Sequence, residues 1–187
     1  PNSELHTIDK KAFYCSSIES ILIPSLVTQI SESSFYKCRN LKSIKISEDS
    51  KLTSIEKNSF SNSSIESIFI PSHVKKIGEN SFYCCSKLKN VEFSSNSELR
   101  IIESKSFSYT PINEIYIPSF VEQIGISTFC GCQQLKKVEF SNNSKLILIN
   151  KYAFSKSSIE NITIPSSVET IAEGSFYECS NLKTIDF

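Results

Sequence analysis

The chain has 187 residues, with 20 basic and 20 acidic side chains and a formal net charge of zero. This balance argues against a nucleic-acid-binding face and against electrostatic docking to an acidic membrane, since both need an excess of basic residues. No apolar run approaches the roughly 18 residues of a membrane-spanning segment. We therefore expect neither nucleic acid nor membrane insertion for this chain.

One phenylalanine per repeat marks an internal period along the sequence. These residues follow one another at alternating steps of 22 and 25 residues, so the full unit has 47 residues. They are Phe13, Phe35, Phe60, Phe82, Phe107, Phe129, Phe154 and Phe176. A fixed period between about 20 and 50 residues predicts a solenoid, in which each repeat forms one coil. We predict a single domain over residues 1–187 without caps, and we expect the chain, which starts inside a repeat, to be an excised fragment.

Each repeat opens with a short run in which apolar residues alternate with other residues, as in Val138-Glu139-Phe140. This period of two predicts a strand, and because all copies run in the same direction we predict one parallel sheet. The eight strands are predicted to end at Ile23, Ile46, Ile70, Phe93, Ile117, Phe140, Ile164 and Phe187. In every second repeat a proline follows and ends the strand, because it has no N–H to donate.

Two further segments complete each predicted coil. A Val-x-x-Ile or Leu-x-x-Ile segment predicts a second short strand on the opposite wall. The segment around the phenylalanine is too short for a stable helix and predicts a single helical or 3₁₀ turn on the convex side. The residue before each phenylalanine is small, which lets neighbouring coils approach closely. Gly78 and Gly125 share one repeat position and are interpreted as tight bends.

The seven cysteines cannot all form internal disulfides, because their number is odd. Cys38, Cys85, Cys132 and Cys179 keep the 47-residue step. Consecutive members are two coils apart, or roughly 10 Å at the spacing of adjacent strands, which is too far for a disulfide. We predict that these four are buried, reduced thiols. Cys15 and Cys38 lie in adjacent repeats, and a bridge between them remains open.

Chemistry-bearing motifs are scarce. A zinc site needs about four converging ligands, and the only histidines are His6 and His73. We find no Gly-rich phosphate loop, no arrangement of Ser, His and an acid, and no spaced pair of buried carboxylates. A column of equivalent repeats also offers no distinguished position for an active site. We therefore predict no metal, no cofactor and no enzymatic activity.

The repeat pattern resembles a known family. The sequence L-x-x-I-x-I, followed by I-P-S-x-V-x-x-I-x-x-x-[A/S]-F-x-x-C-x-x-L-K, resembles the BspA-like leucine-rich repeats, a subclass of about 23 residues also seen in treponemal surface proteins. The Ser/Asn/Lys-rich alternation of repeat lengths is similar to surface families of mucosal protozoa. The resemblance implies a leucine-rich-repeat solenoid of the α/β horseshoe class, mostly β, with a concave sheet. It also implies a non-catalytic module at a cell surface that binds matrix or cell-surface proteins. The chain departs from the pattern where Cys is replaced by Ser16, Ser63, Thr110 and Ser157.

The central residue of each predicted strand points onto the concave face. We call these residues the concave row: Leu22, Lys45, Phe69, Glu92, Tyr116, Glu139, Thr163 and Asp186. Exposed aromatic residues are typical interface anchors, so we predict that Phe69 and Tyr116 anchor a protein ligand. The preceding row alternates acid and base, which predicts inter-coil ion pairs that hold the register: Glu19, Lys42, Glu66, Lys89, Asn113, Lys136, Glu160 and Lys183.

Two function classes remain after this reading. The first is an extracellular or cell-surface adhesion module, and the second is an intracellular protein-interaction scaffold with reduced cysteines. The sequons at Asn62, Asn142 and Asn161 would be glycosylated in a eukaryotic secretory route, so glycan on the native protein would favour the first class. A solenoid without polar caps leaves open sheet edges, and we therefore also expect end-to-end self-association.

Overall fold

The computed structural model describes residues 3–187 as a solenoid of eight coils, with strands and, in this range, no helix. The two-residue strands are β1 (Thr7–Ile8), β3 (Gln29–Ile30), β5 (Ser54–Ile55), β7 (Lys76–Ile77), β9 (Ile101–Ile102), β11 (Gln123–Ile124), β13 (Leu148–Ile149) and β15 (Thr170–Ile171). The longer strands are β2 (Ser20–Ile23), β4 (Ser43–Ile46), β6 (Ser67–Ile70), β8 (Asn90–Phe93), β10 (Glu114–Ile117), β12 (Lys137–Phe140), β14 (Asn161–Thr163) and β16 (Thr184–Asp186). The predicted mostly β repeat solenoid is confirmed. The expected domain bounds, 1–187, remain a prediction and include residues 1 and 2, which lie outside the described residues.

The two-residue strands form one continuous wall. They pair in parallel in the order β1-β3-β5-β7-β9-β11-β13-β15. The second residue of each strand is an isoleucine in register with the next one, as Ile30 is with Ile55. These isoleucines are buried from β1 to β13, whereas Ile171 of β15 is 38% exposed. The second short strand predicted for each coil is therefore confirmed.

The longer strands line the concave wall, but they do not form the single sheet that the sequence predicted. They pair in twos, as β2–β4, β6–β8, β10–β12 and β14–β16. In two of these pairs, the N–H after the second strand donates to the preceding coil: Ser94 donates to the carbonyl of Ile70 at 3.0 Å, and Ser141 to that of Ile117 at 3.1 Å. The equivalent residues of the next coils are prolines such as Pro118 and Pro165, which have no N–H to donate. The ladder is therefore interrupted between β4 and β6, β8 and β10, and β12 and β14; we call these breaks seams.

The convex wall is a series of turns, so the predicted helical or 3₁₀ turns are also wrong. The phenylalanine N–H donates to the next coil, as Phe35 does to the carbonyl of Ser59 at 2.7 Å. The N–H one residue later closes a turn within its own coil, as Tyr36 does to Ser33 at 3.2 Å. Residues two before and two after each phenylalanine have left-handed φ between 53° and 73°. This alternation lets neighbouring coils satisfy one another's backbone groups without a helix.

A stack of phenylalanine rings fills the core. Neighbouring rings of the eight repeat phenylalanines have centroids 5.1 to 5.5 Å apart and lie within 10° of parallel. The serine before the ring is fully buried at Ser34, Ser59, Ser81 and Ser106, which confirms the close approach of coils.

The shared glycine position has a different role from the one predicted. A Cβ added at Gly78 would lie 2.8 Å from the backbone of Glu56 in the preceding coil. The equivalent Cβ at Gly125 would lie 2.7 Å from the backbone of Glu103. Neither glycine has positive φ. These glycines therefore allow the backbones of two coils to approach, and the interpretation as tight bends is wrong.

Candidate binding faces and thiols

The concave row lies across the paired strands, in the register expected from the sequence. Its members pair across each pair of strands as Leu22 with Lys45, Phe69 with Glu92, Tyr116 with Glu139, and Thr163 with Asp186. Leu22 is 63% exposed and Tyr116 is 48% exposed. Phe69 is only half-buried rather than exposed, which corrects the expectation for that residue. The row thus presents two strongly exposed apolar side chains among charged neighbours.

A second column on the same face was missed. Because side chains alternate along a strand, the residue two before each row member also faces out. The members of this column are all exposed and polar: Ser20, Ser43, Ser67, Asn90, Glu114, Lys137, Asn161 and Thr184. Lys137 pairs with Glu139 of the concave row at 2.6 Å, and the Thr184 hydroxyl donates to the Asn161 amide oxygen at 2.8 Å. The period of two in each strand was the signal that could have revealed this column.

The predicted register ion pairs form in part. Lys183 and Glu160 are 2.9 Å apart, and the bond from Lys183 lowers the pKa of the Glu160 carboxyl. Among residues 3–187, no ion pair joins Glu19 with Lys42 or Glu66 with Lys89. Inter-coil ion pairs instead occur near the two-residue strands and on the convex wall: Lys10–Glu32, Lys57–Glu79, Lys75–Glu98, Lys76–Glu56, Arg100–Glu122, Lys151–Glu173 and Lys156–Glu178.

An open groove of about 1000 Å³ lies on the concave side, at the seam between β12 and β14. Three members of the concave row line it, namely Tyr116, Glu139 and Thr163. The other five members, Leu22, Lys45, Phe69, Glu92 and Asp186, do not line this groove. The structure therefore brings three members of the concave row together at the groove and places the other five along the concave face outside the groove.

The in-register thiols occupy a slot between coils. The Cys85 thiol donates to the carbonyl of Phe60 at 3.0 Å and lies 3.4 Å from the Ser63 hydroxyl. Burial raises the pKa of Cys85 to about 12 and that of Cys132 to about 11. Cys38 is likewise buried, whereas Cys179 is only half-buried, so the burial prediction is wrong for Cys179. All seven cysteines are free, including the pair Cys15 and Cys38.

Comparison with known proteins decides the family. The model of the BspA type leucine rich repeat region matches residues 6–125 and 100–187 in six copies. The chain belongs to this family.

Solved structures support the fold of this BspA-type chain. The pneumococcal vaccine antigen PcpA is 27% identical, with a TM-score of 0.64 over 89% of this chain and 39% of PcpA. A leucine-rich repeat protein from Eubacterium ventriosum is 21% identical, with a TM-score of 0.54 over 99% of this chain and 53% of that protein. The chain therefore spans well under two thirds of either protein. A comparison with curated proteins finds no significant match.

The departure from the family's cysteine pattern now has a structural account. Every second coil carries a serine or threonine in place of the cysteine. From the fourth coil on, each thiol of the in-register column therefore contacts the hydroxyl of the preceding coil. Thr110 lies 3.4 Å from Cys132, and Ser157 lies 3.3 Å from Cys179. Two thiols consequently never occupy adjacent slots of the in-register column, and no disulfide links its members.

The sequons of this BspA-type chain differ in their surroundings. Asn142 is exposed in the turn after β12, and Asn161 is exposed on β14. Asn62 is half-buried, and its amide donates to the hydroxyl of Ser61 at 3.0 Å. Glycosylation of all three stays a prediction, with Asn142 and Asn161 the two exposed acceptors.

Residues 3–187 contain neither a metal-binding cluster nor a membrane-spanning helix. Within residues 3–187, no group of three or more His, Cys, Asp or Glu side chains is placed to hold a metal ion. Over the same residues, no helix has the length and apolar character to cross a membrane.

Proposed function

We propose that this BspA-type solenoid is a non-catalytic module that binds a protein ligand across its concave face. The observation that carries the proposal is Tyr116, a large ring that is 48% exposed at the edge of the β12–β14 groove. Exposed aromatic rings beside a depression are typical centres of binding energy. Glu139, which pairs in register with Tyr116, and Lys137, which pairs with Glu139, orient the ligand by charge.

We further propose that the chain is displayed at a cell surface and binds matrix or cell-surface proteins. PcpA, with which it shares 27% identity, is described as a pneumococcal vaccine antigen. The alternative is an intracellular scaffold, which the seven free cysteines favour. A surface-displayed protein can carry a glycan on Asn142 and an intracellular one cannot, because the glycan requires passage through a secretory route. Mass spectrometry of the native protein separates them: glycan at Asn142 supports surface display.

Binding to a panel of purified matrix and cell-surface proteins tests the function. Tyr116→Ala is expected to weaken binding by about thirty-fold, because truncating an anchor costs on the order of 2 kcal/mol. Phe69→Ala should have a smaller effect, since its half-buried ring presents less surface to a ligand. Both variants keep their strands, and circular dichroism verifies that the solenoid remains folded.

Matched controls locate the binding face. Lys89→Ala removes a charge beside the concave row, and Tyr177→Ala removes a ring that is 52% exposed on the convex wall. Both should leave affinity nearly unchanged. If Tyr177→Ala abolishes binding while Tyr116→Ala does not, the concave assignment is wrong.

A further inference from the structure

Apolar residues cluster on one part of the continuous wall, whose coils are counted by their two-residue strands from β1 to β15. Each of these strands ends on the repeat isoleucine. In the first four coils and the eighth, the residues two before, one before and two after this isoleucine are only Ser, Thr, Gln, His, Lys or Glu. The apolar residues at these positions all lie in the fifth, sixth and seventh coils. We call them the wall patch: Ile101, Ile126, Ile147 and Leu148.

The wall patch is open to solvent where a repeated pattern of charges is broken. Ile101, Ile126 and Ile147 are 40%, 44% and 45% exposed. In three of the four 47-residue units, the residues two after the isoleucine form an ion pair between neighbouring coils: Lys10–Glu32, Lys57–Glu79 and Lys151–Glu173. In the remaining unit these positions hold Ser104 and Ile126. A local loss of charge together with a gain of exposed apolar surface is typical of an interaction site.

A groove of about 400 Å³ lies within the wall patch. Ile101, Ser104 and Ile126 line it, and its size suits an inserted side chain rather than a large ligand. The carboxylates at its rim already have partners. Glu79 pairs with Lys57 at 2.7 Å, and Glu103 accepts the N–H of Glu79 at 2.8 Å. The groove therefore favours an uncharged aliphatic side chain.

The charges around the wall patch favour a second copy of the chain as the occupant. A twofold axis along the strand direction, placed at the sixth coil, sets two continuous walls face to face with their solenoid axes antiparallel. The fourth coil of one copy then faces the eighth coil of the other, and equivalent positions face each other. Lys75 consequently faces Glu169 of the second copy on both sides of the axis. Both side chains are exposed.

The same twofold axis matches the apolar residues. Ile101 of the fifth coil faces Leu148 of the seventh coil of the second copy. Ile126 faces its own copy across the axis, beside the groove that it lines. Gln123 also faces its own copy, and its amide can both donate and accept a hydrogen bond.

Like charges face each other at two places in this arrangement, and each has a neutralising partner within its own chain. Glu122 faces its own copy, and Arg100 lies 2.9 Å from it in the same chain. The aliphatic stem of Arg100 can in turn pack against the facing Ile147. Glu79 faces Glu173, and their carboxylates pair with lysines of their own chains at 2.7 Å and 2.9 Å.

A parallel arrangement of the two solenoids matches these residues less well. A twofold axis along the solenoid, centred on the strands, makes each coil face its own copy. Ile126 would then face Glu122, and Ile147 would face Lys151. Both contacts would bury a charge against an apolar side chain, which is unfavourable. The antiparallel arrangement is therefore favoured.

We propose that two copies of the chain form a dimer through the wall patch, with their solenoid axes antiparallel. Ile126 of each copy packs against the groove of the other, next to the contact between Ile101 and Leu148. The contact spans five coils, or roughly 20 Å along the solenoid, which places it among the small and weak interfaces. It uses a different wall from the concave row, so a ligand and a second copy can bind at the same time.

Sedimentation equilibrium of the Phe187→Ser variant tests this dimer while suppressing association at the exposed end. The mass is expected to rise from one chain to two between about 1 and 100 μM, the range of weak interfaces, and to stop at two because a twofold contact closes. Ile126→Lys, added to this variant, should keep the mass at one chain. Leu22→Lys is the matched control, since Leu22 is 63% exposed on the concave face, and it should leave the dimer intact.

A charge exchange tests the antiparallel arrangement. Lys75→Glu and Glu169→Lys should each weaken the dimer several-fold, because like charges then face each other. The double variant should restore the original dissociation constant. Lys75→Glu also removes an ion pair with Glu98 at 3.7 Å in the same chain, but loss of that pair alone would not be rescued by Glu169→Lys. Circular dichroism verifies that each variant is folded.

Three outcomes contradict the dimer. A mass of one chain at every concentration overturns it and leaves the wall patch to a different protein. Association that persists unchanged in Ile126→Lys shows that another surface is responsible and also overturns it. A double variant that dimerises no better than Lys75→Glu overturns the antiparallel arrangement.

Discussion

At the scale of single residues, the buried thiols act as small apolar groups with a strong preference for the protonated state. Cys85 and Cys132 are fully buried and donate to carbonyls of Phe60 and Phe107 at 3.0 Å and 3.1 Å. Burial in this setting disfavours the thiolate. The slot therefore selects for a neutral side chain of thiol or hydroxyl size.

We expect these thiols to make the protein less stable in alkali. Their pKa is raised by folding to about 12 and 11, so their contribution is fully present below the unfolded value of about 8.5 and is lost as the pH rises through the folded values. Between pH 7 and about pH 10, the free energy of unfolding should fall by about 2 kcal/mol for each of these two thiols. The Cys85→Ala/Cys132→Ala variant should show a flatter profile in denaturant titrations between pH 7 and 10. An unchanged profile would contradict this account, and exposed Cys15→Ala is the control.

A second residue-scale feature couples a glycine to a tyrosine of the preceding coil. Gly131 has φ of +73°, and a Cβ there would lie 2.6 Å from the Tyr109 ring. Gly131→Ala should cost about 1–2 kcal/mol from the left-handed backbone alone, with a further cost from the ring. Combining it with Tyr109→Ala should remove that further cost. A double-mutant cycle in urea measures the coupling. If the two changes in the free energy of unfolding are simply additive, the Tyr109 ring moves aside without cost.

At the scale of elements, the phenylalanine stack connects every coil to its neighbours. Phe82 is fully buried between Phe60 and Phe107, with centroids 5.4 Å and 5.1 Å away. Each ring between Phe13 and Phe176 thus packs on two others. The stack runs through the core, between the continuous sheet and the turns of the convex wall.

Truncating a central ring should be costly. Phe82→Ala is expected to lower the free energy of unfolding by about 3–5 kcal/mol, because a cavity opens in a close-packed stack. Phe176→Ala should cost about half as much, since Phe176 is half-buried and stacks on one described ring, Phe154. Guanidinium denaturation of both variants gives the comparison. Equal losses would show that the stack does not set the stability of the central coils.

At the scale of the whole molecule, the last described coil exposes apolar surface. Phe187 is 87% exposed and Ile185 is 36% exposed, and β16 pairs with β14 alone among the described strands. An unpaired strand edge is a template for association with another chain. This surface belongs to the 187-residue chain when it is studied on its own.

We expect the 187-residue chain to associate end to end at high concentration. Light scattering should show a mass that rises with concentration, and Phe187→Ser should reduce this rise. Leu22→Ser is the matched control, because Leu22 is 63% exposed on the concave face rather than at an end. A constant monomer mass across the range would show that the edge is protected.

Much of the architecture was predictable from the repeat period. The alternating steps between phenylalanines set the number of coils, their register and the concave row, because inward and outward positions follow from a period of two in each strand. The register of Tyr116 with Glu139 is one example. The fully buried Cys85 is another, because its slot recurs in every 47-residue unit.

Contacts between coils decided the rest. Proline was known to lack a donor, but only the tertiary structure shows which carbonyl loses its partner and so where the concave sheet is interrupted. The left-handed residues of the convex wall include Lys11 and Tyr109, which carry no local signal for that conformation. Exposure of Phe69 and Cys179 depends on the surrounding coils. In each case the deciding partner lies about one repeat away in sequence, so a pattern read along one segment does not contain it.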